Sequence, residues 1–157
     1  MKGKSGFIRI TRESLKKKSF YMKAMVLNRL VRGDGRLKAT RRMADMMLKH
    51  YLAAFRGKKP SVLTTIWCPS ELLYALDVIP LCVETTAVHL AGAGLSDEYL
   101  AIAEKNFQSR ETCSFLCCAS GAIIDKLFPQ PAAAVATSLL CDRGALAPGN
   151  ARSGEMR

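Results

Sequence analysis

The chain has 157 residues, enough for one ordinary domain with a real core, and 49% of them are hydrophobic. No apolar run reaches the roughly 18 residues that span a bilayer, and no apolar signal core follows Met1-Lys2-Gly3-Lys4, so a cytoplasmic location without a membrane partner is expected. Residues 1–59 hold 18 of the 24 Lys and Arg against Glu13, Asp34 and Asp45 and so carry +15, while the remainder is net acidic; a uniformly basic nucleic-acid binder is thereby excluded.

In chain order, Leu15, Phe20, Met25, Leu27 and Leu30 recur among Lys and Arg at helical spacing, which predicts one basic amphipathic helix over 11–31, stopped by Gly33 and Gly35. A second helix is predicted over 37–55, with Met43, Met46, Met47, Leu48, Tyr51, Leu52 and Phe55 on its apolar side and Gly57 at its end. Residues 1–59 thus read as a basic helical hairpin. After Pro60 the pattern changes. The run Val62 to Trp67 predicts a buried strand, Pro69 or Ser70 opens a helix, and Ile79 to Val83 is the next strand. A helix around 86–91 meets a Gly92-Ala93-Gly94 turn, Ser96 opens another with acids in its first turn, and a further helix spans about 112–127. Pro129 and Pro131 break it, and a short strand at 134–137 leads to Cys141-Asp142. Strands alternating with helices predict an α/β fold, so residues 60–142 read as a Rossmann-like lobe with a parallel sheet covered on both faces. Residues 143–157 have no periodicity and read as a disordered tail.

All six cysteines (Cys68, Cys82, Cys113, Cys117, Cys118 and Cys141) lie in the second half, without a signal peptide, so reduced thiols or a metal cluster fit better than a disulfide scaffold. Cys113 is expected at a helix start, where the helix dipole favours a thiolate. Cys141 follows a strand, at the carboxyl edge where open α/β sheets place ligands, so the two could converge although 28 residues separate them. Cys-x-x-x-Cys-Cys is neither a zinc nor a ferredoxin spacing, and Cys117 and Cys118 read as small core residues. Cys82, inside an apolar strand, is expected to be buried. Glu71 reads as a cap or dipole partner in a first helical turn, and His50 and His89 as isolated structural or surface residues. Gly92-x-Gly94 lacks the rest of a phosphate fingerprint.

Three blocks carry a resemblance. Trp67-Cys68-Pro69-Ser70-Glu71-Leu72-Leu73-Tyr74-Ala75-Leu76-Asp77-Val78-Ile79-Pro80 resembles the Pro-x-Glu-Leu-Ile-x-Ala-x-Gly-x-x-Pro segment of the 2-hydroxyacyl-CoA dehydratase family, with Asp77 in place of Gly. Thr112-Cys113-Ser114-Phe115-Leu116 and Gly121-Ala122 resemble its first cluster cysteine and the helix that follows. Ala134 to Asp142 resembles the strand ending in Thr-Ser-x-x-Cys-Asp that carries the second. The resemblance covers about 60–142 and implies a [4Fe–4S] cluster with Cys113 and Cys141 among its ligands, an acyl-CoA substrate, a sister subunit and an ATP-dependent activator protein. In that family one injected electron turns the thioester into a ketyl radical from which the hydroxyl leaves. The family's third cysteine and second lobe come later than residue 157, so the chain reads as a truncated or fragmentary component, or as an inactive remnant. A basic nucleic-acid or membrane-surface module in 1–59 is the other reading. Few aromatics and no recognised signature speak against it, and packing of the hairpin on an acidic lobe or on CoA phosphates is preferred.

Overall fold

The computed structural model describes residues 10–30, 37–106, 108, 109, 111 and 113–137. Among them are seven helices and three strands, in the order α1 (Arg12–Leu15), α2 (Lys18–Leu30), α3 (Lys38–Arg56), β1 (Ser61–Thr64), α4 (Ser70–Ala75), β2 (Ile79–Cys82), α5 (Val83–Gly92), α6 (Ser96–Lys105), α7 (Ser114–Ile124) and β3 (Ala133–Val135).

The first predicted helix is two. Thr11 and Ser14 form a reciprocal capping box, with Ser14 N–H donating to Thr11 Oγ1 at 3.2 Å and Thr11 N–H to Ser14 Oγ at 2.9 Å, so α1 is a single capped turn. α2 restarts after Lys16 and Lys17. Its inner face meets α3, where the Tyr21 ring stacks on Tyr51 and Phe55 with centroids 5.6 and 5.1 Å apart. Arg29 and Lys49 both hold the buried Asp45 carboxylate, at 3.1 and 2.7 Å, and Asn28 Nδ2 donates to the Arg41 carbonyl at 3.2 Å. α3 ends as expected, on Gly57 in the left-handed region at φ 65°.

The sheet is parallel, with strand order β2-β1-β3; Thr64 pairs with Cys82 on one side and with Val135 on the other. All four residues of β1 are buried, and because successive side chains point to opposite faces, both faces of the central strand are covered. The apolar run that predicts a strand as far as Trp67 stops pairing at Thr64. There the Ile66 N–H donates to Glu84 Oε2 at 3.1 Å and the Cys68 N–H to the Thr65 carbonyl at 3.0 Å, so these donors leave the ladder and the chain turns into α4. β3 is likewise shorter than expected and starts one residue earlier. The tail at 143–157 lies outside the described residues.

A shared core joins α2 and α3 to the sheet: Tyr21, Leu48, Tyr51 and Leu52 belong to the same buried cluster as Leu63, Leu81, Val83 and Tyr99. Within it α6 and α7 approach at Gly121, where an added Cβ would lie 2.0 Å from the Tyr99 carbonyl oxygen. Only glycine permits that separation of the two backbones.

Candidate functional site at the carboxyl edge of the sheet

Because the strands are parallel, Thr64, Cys82 and Val135 end on one edge, and the segments after them carry the candidate chemistry. Cys68 lies in the turn after β1, and Cys141 follows β3 by six residues in sequence and falls outside the described residues. Cys113 is not inside α7 but is its N-cap, with non-helical ψ 122°, and it is exposed. Its carbonyl accepts from the Cys117 N–H at 3.0 Å, as the first residue of a helix frame should.

The other two cysteines of this run are in the core, as their sequence context predicts. Cys117 is buried and its Sγ lies 3.5 Å from the Ser109 carbonyl oxygen. Cys118 is buried too, and burial, with the neighbouring Cys117 adding to it, pushes its thiol up to about 11, so it stays a neutral, weakly nucleophilic core residue.

A cleft of about 430 Å³ opens on the same edge, walled by Met46 and His50 of α3, the end of β1, Cys68, Tyr74 of α4 and Cys82. Cys82 is half-buried rather than buried: it is the last residue of β2, where the sheet gives way to the cleft. Its thiol donates to Glu84 Oε2 at 3.4 Å, and burial followed by the carboxylate's charge holds it above the ordinary thiol range despite hydrogen bonds at Thr85. Glu84, which sequence reasoning passed over, therefore fastens the turn after β1 to the start of α5. His50, set aside as isolated, donates from Nε2 to the Pro80 carbonyl, and its ring meets Tyr74 edge-on at 6.2 Å. A signal for it existed, since His50 is four residues after Met46 and three after Met47 and so shares their helix face. Behind it, Tyr51 OH donates to Thr86 Oγ1, which donates in turn to the Cys82 carbonyl at 3.1 Å. Glu71 is exposed in the first turn of α4, in the dipole position expected of it.

Among the described residues no three His, Cys, Asp or Glu side chains come together as a metal site. These residues contribute one exposed thiol at a helix start, Cys113, and by themselves do not compose a cluster site. The half-buried His89 shows a separate effect, because burial lowers its pKa below the ordinary 6.5.

Compared with protein-family models, with curated proteins and with solved structures, the chain matches none.

Proposed function

We propose that the chain is a lobe of a 2-hydroxyacyl-CoA dehydratase-type iron–sulfur protein, with Rossmann-like topology in residues 60–142. The observation that carries this reading is how the residues of the resembling blocks behave. The position where the family has glycine holds Asp77, at φ 58°, a left-handed conformation that glycine adopts without strain and aspartate tolerates. Gly121 of the second block sits where a side chain has no room. The third block contains β3, whose last residue, Val135, ends on the edge shared with Thr64 and Cys82, six residues before Cys141 in the sequence.

The strand order β2-β1-β3 supports the topology, since the chain goes from β1 to β2 on one side and then returns to pair β3 on the other. That reversal makes a switch point between β1 and β3, and ligands of open α/β sheets bind in the crevice outside such a point. The turn after β1 holds Cys68, and the segment after β3 holds Cys141. In this reading Cys113 and Cys141 would hold the [4Fe–4S] cluster, whose chemistry is one-electron transfer and Lewis-acid binding of an oxygen ligand. Cys113 is the exposed N-cap of α7, while the buried Cys117 and Cys118 would stay outside the site. An acyl-CoA would be the substrate, with a sister subunit and an ATP-hydrolysing activator as partners.

Anaerobic reconstitution with iron and sulfide tests this. Iron uptake with thiolate-to-iron absorption, reduced by Cys113→Ala and by Cys141→Ala but not by Cys118→Ala, is the expected result. Uptake indifferent to both Cys113→Ala and Cys141→Ala removes the assignment.

A further inference from the structure

α2 carries an apolar face that stays exposed among the described residues. Met22, Val26 and Leu30 follow one another at i, i+4 and i+8 and are 45%, 53% and 71% exposed, so they form one apolar ridge along the outside of the helix. The opposite side is spent on α3 through Tyr21. At about 100° per residue, Lys18 and Arg29 fall on one flank of the ridge and Lys23 on the other, and α2 contains no acidic residue. Arg29 also touches Asp45, while Lys18 and Lys23 are exposed.

We propose that this outward face of α2 docks on the surface of an anionic lipid bilayer. The ridge enters the headgroup boundary, and the long aliphatic stems of the flanking lysines reach outward to lipid phosphates. The arrangement decides the occupant. A reader of nucleic-acid phosphates needs cations at the centre of its contact, whereas here apolar side chains hold the centre and cations the margins. A partner helix can pack on such a ridge, as α3 packs on the other side of α2, and it becomes the occupant if anionic vesicles are not bound. A planar, negatively charged surface asks only for a convex ridge with cations beside it. This is a peripheral contact and not a span, because no described helix is long and apolar enough to cross a membrane. It does not depend on the iron–sulfur reading, and it amends the expectation of no membrane partner.

The test is co-sedimentation of the full chain with phosphatidylcholine vesicles, with and without phosphatidylglycerol, at low and at high salt. Binding is expected only to the phosphatidylglycerol-containing vesicles, weakened by salt. It should fall about tenfold in Val26→Asp and in Leu30→Asp, while Val88→Asp, an equally exposed apolar residue on α5, should bind like the parent. Circular dichroism identifies any variant that has not folded, and having two variants on the ridge keeps the comparison open if one fails. No binding to the anionic vesicles at low salt, binding undiminished in both folded ridge variants, or an equal loss in Val88→Asp would each overturn the proposal.

Discussion

Asp77 shows how much can rest on one backbone angle. It ends the turn after α4 at φ 58°, with its N–H on the Tyr74 carbonyl at 3.1 Å and its carboxylate on Lys59. Left-handed backbone costs an ordinary L-residue about 1–2 kcal/mol, glycine almost nothing, and aspartate somewhere between. The ion pair is exposed and contributes little. Asp77→Ala is therefore expected to lower the unfolding free energy by about 1 kcal/mol, and Asp77→Gly to stay within about 0.5 kcal/mol of the parent, as read from urea midpoints at unchanged slope. An alanine variant as stable as the glycine variant would show that the conformation is not what selects the residue.

Two helix contacts organise the elements. α6 and α7 meet backbone to backbone at Gly121, so Gly121→Ala must force them apart, at a cost of about 1–3 kcal/mol as in other overpacked cores. Restoring space nearby cannot rescue it, because the obstacle is the Tyr99 carbonyl and not a side chain. A thermal midpoint unchanged in Gly121→Ala would contradict the close approach. α1, only one turn long, is held instead by charge. Arg12 donates to both Asp125 oxygens, Lys16 reaches the same carboxylate at 3.0 Å, and the Arg12 guanidinium lies 5.8 Å from the Tyr99 ring centre. So short a helix cannot persist alone, and the Asp125 carboxylate just past the end of α7 is what orders it.

At the scale of the whole molecule these groups set the pH dependence of stability. His89 is half-buried, which disfavours the charged ring, so its folded pKa lies below 6.5. Well above pH 6.5 neither state protonates it. As pH falls below that value the unfolded chain takes up a proton that the fold resists, and stability declines. Burial pushes Asp125 up, but hydrogen bonds from Arg12 and Lys16 outweigh it and hold the carboxyl below the ordinary 3.8. Its contribution is complete above 3.8 and is lost as pH falls through the depressed value. Unfolding free energy against pH should therefore show a plateau near neutrality, two declining stretches at acid pH, and a further decline at alkaline pH as the raised Cys82 and Cys118 thiols resist ionising in the fold. His89→Phe should remove the first, and Asp125→Asn should shrink the second, which the lowered Asp45 shares, and lower the plateau. A first decline that persists in His89→Phe would assign it to another group.

The α/β alternation, the end of α3 at Gly57 and the core places of Cys117 and Cys118 were legible in the residues, because periodicity, turn chemistry and the burial habit of cysteine act locally. Other features depended on partners distant in sequence. The first strand ends at Thr64 because Glu84 takes the Ile66 N–H, and His50 joins the sheet edge because Pro80 offers it a carbonyl. Cys82 is half-buried because β2 ends where the cleft begins, and Met22, Val26 and Leu30 are exposed because α3 packs on the other side of α2. Composition determined that the N-terminal segment is basic. Only the packing of α2 on α3 decided that its outward face combines cations with an apolar ridge, since a hydrophobic pattern specifies which residues share a helical face but not which face a neighbouring element will cover.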